Sequence, residues 1–236
     1  MPDFDCLQEV RQLHRDLVAN PAPLGLYAFG FTTALLQGAN TGITDGGLPA
    51  GVSNTLGFVW GYGMFFGGLA QLLAGMWEFK KQNTFGATAF SSYGAFWMGL
   101  ALWGILFSTK VVSFDPSTFA MVLSLWGIFT FIMMFPTLNL NVCLTSLFLT
   151  LSILFWILAA GQFYPTTPDH PSTTLKAAGG FGYFVAAIAW YIATAELMNE
   201  IYGTVVMPLG KWKLGSQILG LPTAPAPAPA PRAEEA

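Results

Sequence analysis

The sequence predicts an all-α membrane protein whose six transmembrane helices form one bundle. Hydrophobic residues make up 54% of the 236 residues and charged residues only 9%, whereas about one quarter of the residues of a soluble domain are charged. A helix needs about 20 apolar residues to cross a bilayer. Six apolar runs follow one another along the chain, at residues 24–39, 52–77, 86–108, 117–137, 140–163 and 177–202.

These runs leave little of the chain outside the membrane, so we expect one transmembrane domain at residues 23–210 between two cytoplasmic flanks. In the first flank, residues 1–22, apolar residues recur at spacings of three and four between positions 7 and 17, which predicts a short amphipathic helix. Its sequence fits both a helix on the membrane surface and one packed against the bundle. The second flank, residues 211–236, contains an alternating Ala-Pro run that favours extended backbone, so we expect a disordered tail.

The cations predict the orientation, because loops rich in lysine and arginine stay in the cytoplasm. With a cytoplasmic amino terminus, seven of the nine lysines and arginines face the cytoplasm, and only Lys110 and Lys176 lie on the other side. We therefore expect both termini in the cytoplasm. The plasma membrane is the expected location.

The cysteines, histidines and net charge give little support for other functional classes. Cys6 and Cys143 lie far apart in the sequence, and His14 and His170 both lie outside the apolar runs, so no metal cluster or nucleophile–base pair is evident. The net charge of −3 provides no basic stripe for nucleic acid. We expect a protein that is not an enzyme and that has no cofactor, no metal and no nucleic-acid partner.

Small and polar residues inside the runs indicate where helices meet. Glycines repeat along the second run, as in the pairs Gly57 with Gly61 and Gly63 with Gly67, and such residues let helix backbones approach closely. A polar side chain left without a partner in hydrocarbon costs several kcal/mol, so it must face protein, water or a solute. The candidates are Thr32, Thr33, Gln37, Gln71, Ser91, Ser92, Asn139 and Asn141.

Carboxylates near the ends of two runs form a second group of candidates. Glu78 ends the second run just before Lys80 and Lys81, while Glu196 and Glu200 lie one turn apart on one face of the sixth run. We expect these carboxylates to meet near the cytoplasmic side. There they either relay a proton or hold cytoplasmic loops through pairs with lysine, and both roles stay open.

Five sequence blocks in a fixed order carry a family resemblance. The first is the motif Asn20-Pro21-Ala22-Pro23-Leu24-Gly25-Leu26, whose prolines favour extended backbone and a sharp turn, so that we expect a helix to start at about Leu24. The other blocks are residues 67–71, 77–86, 91–97 and 196–200. On these blocks the sequence resembles the acetate uptake transporter family, although Gln82 replaces a glycine that is common in that family.

The resemblance implies a protomer of six transmembrane helices, assembly as a homohexamer and a separate solute path through each protomer. It also implies a hydrophobic constriction formed by Phe29, Tyr93 and Leu151, a ring that excludes water when it is narrow. Tyr93 could offer its hydroxyl to a carboxyl oxygen. Further solute contacts are expected from Gln71, Asn83, Thr84 and Ser92.

The expected function is transport of acetate, and of related carboxylates such as succinate, across the lipid bilayer. A proton partner is expected because moving a lone anion into a cell that is negative inside costs about 2.3 kcal/mol per 100 mV, whereas an anion with a proton moves no net charge. Two alternatives stay open. One is a channel for a small neutral or ammonium-like solute, and the other is a membrane sensor or scaffold that binds acetate without moving it.

Overall fold

The structure, a computed structural model, describes residues 18–44, 54–163, 173–211 and 214–219. The predicted amphipathic segment and the predicted Ala-Pro tail fall almost wholly outside these residues. The described helices are α1 (Ala22–Thr41), α2 (Asn54–Met64), α3 (Gln71–Lys80), α4 (Thr84–Ser108), α5 (Pro116–Thr137), α6 (Val142–Gly161), α7 (Thr173–Tyr202) and α8 (Leu214–Leu219).

Among the described residues, five helical segments are long and apolar enough to cross a membrane. Four are α4, α5, α6 and α7, and the fifth is the continuous run of α2, a π-helical segment (Phe65–Ala70) and α3. α1 is a further helix of 20 residues, about 30 Å long at 1.5 Å per residue. The prediction of an all-α membrane protein is confirmed at this level, and the count of six spans stays a prediction.

The proline motif starts α1 earlier than the sequence suggests. The helix begins at Ala22, not at the predicted Leu24, with Pro21 as its N-terminal cap and Pro23 in its first turn. Proline is tolerated there because the first N–H groups of a helix have no partner within the helix. The prolines therefore begin the helix instead of delaying it.

Three later helices begin at polar residues that cap them. Asn83, Asp115 and Asn141 precede α4, α5 and α6. Each side chain accepts a hydrogen bond from the backbone N–H three residues further on, at N···O distances of 3.1, 2.8 and 2.8 Å. Such a cap supplies one of the acceptors that the first turn lacks and typically contributes about 1 kcal/mol.

The helices run alternately up and down, so the two ends of the bundle collect different residues. Hydrogen bonds join Asn20 to Glu196 and Asn83 to Glu78. They place the starts of α1 and α4 beside the ends of α7 and α3 at one end, here called the rim end. α6 also starts there, and α5 ends there. The opposite end is here called the far end, and the closest helix pairs are α1 with α7, α5 with α6, and α3 with α4.

Only part of the predicted glycine repeat makes contacts within the described chain. Gly67 lies against α1, where a Cβ built on it would be 2.6 Å from Thr32 Oγ1, so a larger residue would push the helices apart. Gly63 is buried as well. Gly57 and Gly61, in contrast, have none of the described atoms within 4 Å of such a Cβ. Those two positions lie on the outer surface.

That outer surface is strongly apolar. Phe58, Phe65 and Ile132 are 61%, 67% and 60% exposed, while Gln71 and Glu78 are almost completely buried. This distribution is the reverse of that in a soluble protein, because lipid tails favour apolar side chains and leave polar groups to find partners inside. The fold therefore suits a bilayer and confines polar chemistry to the interior.

Candidate functional site

A cavity of about 370 Å³ extends from the rim end into the middle of the bundle, between α1, α3, α4, α6 and α7. Its polar side chains gather where these helices begin or end, and the set is here called the polar rim. Further inside, the described lining is apolar except for Gln71 and the hydroxyl of Tyr93. The polar rim consists of Asn20, Glu78, Lys81, Asn83, Asn141 and Glu196.

Phe29, Tyr93 and Leu151, the predicted constriction, lie together at the inner end of this cavity. They are the eighth, tenth and tenth residues of α1, α4 and α6, which all start at the rim end, so each lies roughly 10 to 14 Å in from the first residue of its helix. The rings of Phe29 and Tyr93 are 5.8 Å apart between centroids. All three residues are at most 5% exposed. The structure brings them to one place, and their action as a gate stays a prediction.

The hydroxyl of Tyr93 is already engaged. It lies 2.8 Å from Thr130 Oγ1, which in turn donates its own proton to the carbonyl of Trp126 at 2.7 Å. Because Thr130 has a single hydroxyl proton, Tyr93 is the donor in this pair whenever Thr130 donates to Trp126. With Thr130 donating to Trp126, the oxygen of Tyr93 keeps a lone pair for a donor that enters the cavity. The expected contact of the Tyr93 hydroxyl with a carboxyl oxygen stays a prediction.

Sequence reasoning missed an aromatic residue of the same inner end. Phe148 lines the cavity, and its ring centroid lies 6.1 Å from that of Tyr93. It belongs to a face of α6 that also carries Leu144, Leu147 and Leu151. The signal was present in the sequence, because spacings of three, four and seven residues place side chains on one helix face. It was overlooked because every residue of this face is apolar.

Two carboxylates of the polar rim are each held by an asparagine. Glu78 is fully buried, and its Oε2 accepts a hydrogen bond from Asn83 Nδ2 at 2.8 Å. Glu196 Oε2 accepts one from Asn20 Nδ2 at 3.1 Å. The structure thus places Glu78 and Glu196 in one cavity, as expected, but Glu200 lies outside it on the exposed surface.

Acceptor atoms without a partner remain inside the site. Gln71 is 1% exposed and lines the cavity. Its Oε1 and the Oε1 of Glu78 have no hydrogen-bond partner among the described residues. Buried polar atoms are normally paired, so these two oxygens are available to a donor that enters the cavity, such as water or the O–H of a carboxylic acid.

The other predicted contacts divide into two groups. Asn83 lines the cavity as part of the polar rim. Thr84 is exposed at the start of α4, and Ser92 is partly buried, but neither belongs to the described lining. Ser92 directly precedes Tyr93 on α4, and neighbouring residues of a helix point in different directions. The structure therefore does not bring Thr84 and Ser92 to the site.

The proline motif builds one side of the polar rim. Asn20 accepts a hydrogen bond from the N–H of Ala22 and donates one to Glu196, so it ties the start of α1 to α7. Gly25 follows one turn later, and a Cβ there would lie 2.6 Å from the ring of Phe90. The absence of a side chain at Gly25 lets Phe90 pack against α1 beside the cavity.

Known proteins place the chain in a family. The GPR1/FUN34/yaaH family matches residues 6–211, most of the 236-residue chain. The chain belongs to this family. The predicted resemblance to acetate uptake transporters is thereby confirmed.

Two relatives and one solved structure add detail. The chain is 40% identical over 197 residues to the Succinate-acetate/proton symporter SatP of Escherichia coli (strain K12), covering 82% of this chain and 96% of that protein. It is 37% identical over 188 residues to Ammonia transport outward protein 2 of Saccharomyces cerevisiae, covering 77% of this chain and 62% of that protein. The solved structure of the bacterial acetate channel SatP matches with a TM-score of 0.70 and 40% identity, over 82% of this chain and 99% of that one. The chain shares the helical fold of this channel.

Proposed function

We propose that the protein moves acetate, and related small carboxylates such as succinate, across the plasma membrane together with a proton. One observation carries this proposal. In a chain 40% identical to SatP, a cavity with a polar rim leads to the buried residues Phe29, Tyr93 and Leu151. Membership of the GPR1/FUN34/yaaH family supports the same function.

The size of the cavity fits a small hydrated solute. A volume of about 370 Å³ is many times the roughly 10 to 15 Å³ that a single water molecule needs on the same measure. Acetate with part of its hydration shell fits this volume. The solute would replace hydration waters with hydrogen bonds to the polar rim before it reaches the apolar inner end.

The inner end favours the neutral acid over the anion. Tyr93 and Gln71 present acceptor oxygens there, and a protonated carboxyl group can donate to them whereas a carboxylate cannot. Burying an unpaired carboxylate costs up to tens of kcal/mol in the idealised limit. Protonating a carboxyl group that has an ordinary pKa near 4.3 costs only about 4 kcal/mol at pH 7. Passage as the acid is therefore the easier route, and it couples one proton to each carboxyl group.

Within this proposal the polar rim supplies the proton and orients the solute. Glu78 lies at the rim with one oxygen held by Asn83 and the other without a described partner. That second oxygen is the group we assign to proton exchange with the solute. Glu196, tied to Asn20, joins α7 to α1 at the rim.

Assembly and orientation complete the proposal. α1 would be the sixth transmembrane helix, and the apolar outer surface would face lipid and neighbouring copies in a homohexamer. With both termini in the cytoplasm, the rim end faces the cytoplasm, because Lys80 and Lys81 lie there. Each protomer would then hold its own solute path, closed at Phe29, Tyr93 and Leu151 in the state described.

Uptake of labelled acetate into proteoliposomes tests the function. We expect accumulation that depends on an imposed inward proton gradient, and no accumulation in empty liposomes. Tyr93→Ala, which opens the inner end, should lower gradient-driven accumulation at least about threefold, because a wider, wetter constriction passes the anion as well. Phe107→Ala is the matched control, since Phe107 is an aromatic residue of the same helix that is 43% exposed and lies outside the cavity.

The same vesicles distinguish the rival functions. Labelled methylammonium that enters while acetate does not would indicate the ammonium channel, the function that the yeast relative's name favours. Acetate that equilibrates but never accumulates under a proton gradient would indicate an uncoupled channel. Acetate binding without any flux, by protein shown to be folded, would indicate a sensor or scaffold and would overturn transport.

A further inference from the structure

The segment that follows α7 folds back across the start of α6, the helix that forms one wall of the cavity. We propose that Asn199 is a positioning residue whose side chain holds residues 203–211, here called the strap, against the first turn of α6. The strap thereby fixes the cavity wall that α6 carries. This inference rests on the proposed function only in the uptake measurement that closes it.

Asn199, near the end of α7, makes three hydrogen bonds to the strap. Its Nδ2 donates to the carbonyl of Met207 at 2.8 Å, and its Oδ1 accepts from the N–H groups of Val206 and Met207 at 2.7 and 2.9 Å. Two turns earlier on α7, the hydroxyl of Tyr191 donates to the carbonyl of Pro208 at 2.8 Å. One helix face therefore fixes both the position and the direction of the strap.

The strap in turn completes the start of α6. The N–H groups of Val142 and Cys143 belong to the first turn, which has no carbonyl acceptors of its own. They donate to the carbonyls of Gly210 and Leu209 in the strap, at 2.8 and 3.2 Å. The next N–H is capped by Asn141. Two of the three hydrogen bonds that anchor this helix start thus depend on the strap.

α6 transmits this anchoring to the site because a helix is stiff over a few turns. Leu144 lies one residue beyond the anchored pair, and Leu151 lies seven residues further, at the inner end of the cavity. The connection between α5 and α6 is held as well, since the N–H of Ser216 in α8 donates to Asn139 Oδ1 at 2.8 Å. A strap that slips would therefore tilt α6 and move the cavity wall.

Two glycines of the strap provide a matched pair for testing this role. Gly203 and Gly210 both have a positive φ, 62° and 71°, so alanine strains the backbone similarly at each. A Cβ at Gly210 would lie 3.0 Å from the Cβ of Val142, whereas one at Gly203 meets none of the described atoms within 4 Å. Gly210→Ala therefore pushes the strap away from α6, and Gly203→Ala does not.

Hydrogen exchange of the Val142 and Cys143 amides measures the contact directly, in the full-length protein in lipid nanodiscs. We expect exchange at least about tenfold faster in Asn199→Leu and Gly210→Ala, because each loses hydrogen bonds that hold the strap. Asn199→Asp should change it less, since a carboxylate still accepts from Val206 and Met207. Gly203→Ala should stay within about twofold of the unmodified protein.

Unchanged exchange rates of the Val142 and Cys143 amides in both Asn199→Leu and Gly210→Ala would overturn the proposal. An equally large rise in the exchange rates of amides in the middle of α4 would also overturn it, because it would indicate general destabilisation. If one variant does not fold, the other carries the test.

Acetate uptake then links the strap to the site. The half-saturation concentration should rise in the same order as the exchange rates, and unchanged uptake despite fast exchange would overturn the link. If no variant, including the unmodified protein, moves acetate, the proposed function fails while the exchange result still decides whether Asn199 positions α6.

Discussion

The two ends of the bundle start their helices with the same chemistry and use it differently. At the rim end, Asn83 and Asn141 cap α4 and α6 and also line the cavity. At the far end, Asp115 caps α5 and is exposed to solvent. A cap needs one acceptor oxygen, which aspartate and asparagine both supply. The two residues differ in their second group, an amide donor in asparagine and another acceptor in aspartate.

At Asn83 that second group belongs to the site. Its Oδ1 accepts from the N–H of Gly86 while its Nδ2 donates to Glu78. Asp115 makes its hydrogen bonds within the first turn of its own helix, where one of its oxygens accepts from both the N–H and the hydroxyl of Thr118. The far-end cap is thus a self-contained helix start, and the rim cap joins a helix start to a buried carboxylate. Substitutions that keep the cap and change the second group separate the two roles.

Asn83→Asp should have the largest effect. The variant keeps an oxygen for the cap of α4 but replaces the donor 2.8 Å from Glu78 with a second carboxylate. Glu78 is fully buried, and it would lose its donor and face a like charge. Breaking a buried polar pair in this way costs about 3 kcal/mol, so the free energy of unfolding should fall by about that amount at neutral pH. Acetate uptake should fall about tenfold or more, since a change of about 1.4 kcal/mol in the free energy of solute binding corresponds to a factor of ten.

The pH dependence of Asn83→Asp sharpens this test. As the pH falls below neutrality, one of the two carboxyl groups takes up a proton and can donate to the other, so thermal stability should recover relative to the unmodified protein. Asp115→Asn is the matched control, since it replaces aspartate with asparagine, the reverse substitution, in a cap outside the cavity. Equal losses in the two variants would contradict the comparison between the ends.

Asn141→Ala should have an intermediate effect. It removes the side chain that accepts from the N–H of Leu144, a cap normally worth about 1 kcal/mol. The strap still accepts from Val142 and Cys143, so the start of α6 should stay in place. The free energy of unfolding should therefore fall by about 1 kcal/mol, measured by denaturant titration in detergent. A loss as large as that of Asn83→Asp would show that Asn141 itself, and not the strap, anchors α6.

The sequence predicted the helices better than the interior of the site. Apolar runs locate α4 to α7 because a bilayer requires long, uninterrupted apolar segments. They do not locate the π-helical segment Phe65–Ala70, because one extra residue in a turn leaves the hydrophobicity unchanged. They also place the start of α1 two residues late, because Pro21 and Pro23 resemble a barrier to a helix although they occupy its tolerated first positions.

For the site, the family resemblance supplied Phe29, Tyr93 and Leu151, and the structure brings these three together. Residue type alone failed elsewhere. Thr84 and Ser92 are polar but do not line the cavity, whereas Phe148 does, because the direction of a side chain depends on helix rotation and neighbours that one sequence does not specify. The pairs of Asn20 with Glu196 and Asn199 with the strap join distant segments, and only the fold brings them together.

Asp115→Ala should have the smallest effect on acetate uptake, and its effect on stability should depend on pH. Hydrogen bonds from the hydroxyl and N–H of Thr118 hold the pKa of Asp115 below its usual range, so folding stabilises the charged form. Such a group contributes stability above its unfolded pKa, about 3.9, and the contribution is lost as the pH falls through the lower folded value. The melting temperature of Asp115→Ala should thus lie below that of the unmodified protein at pH 7, and the gap should close below about pH 4. Acetate uptake at pH 7 should stay unchanged, because nothing at this far-end cap reaches the cavity; a loss of uptake would show that the two ends of the bundle are coupled.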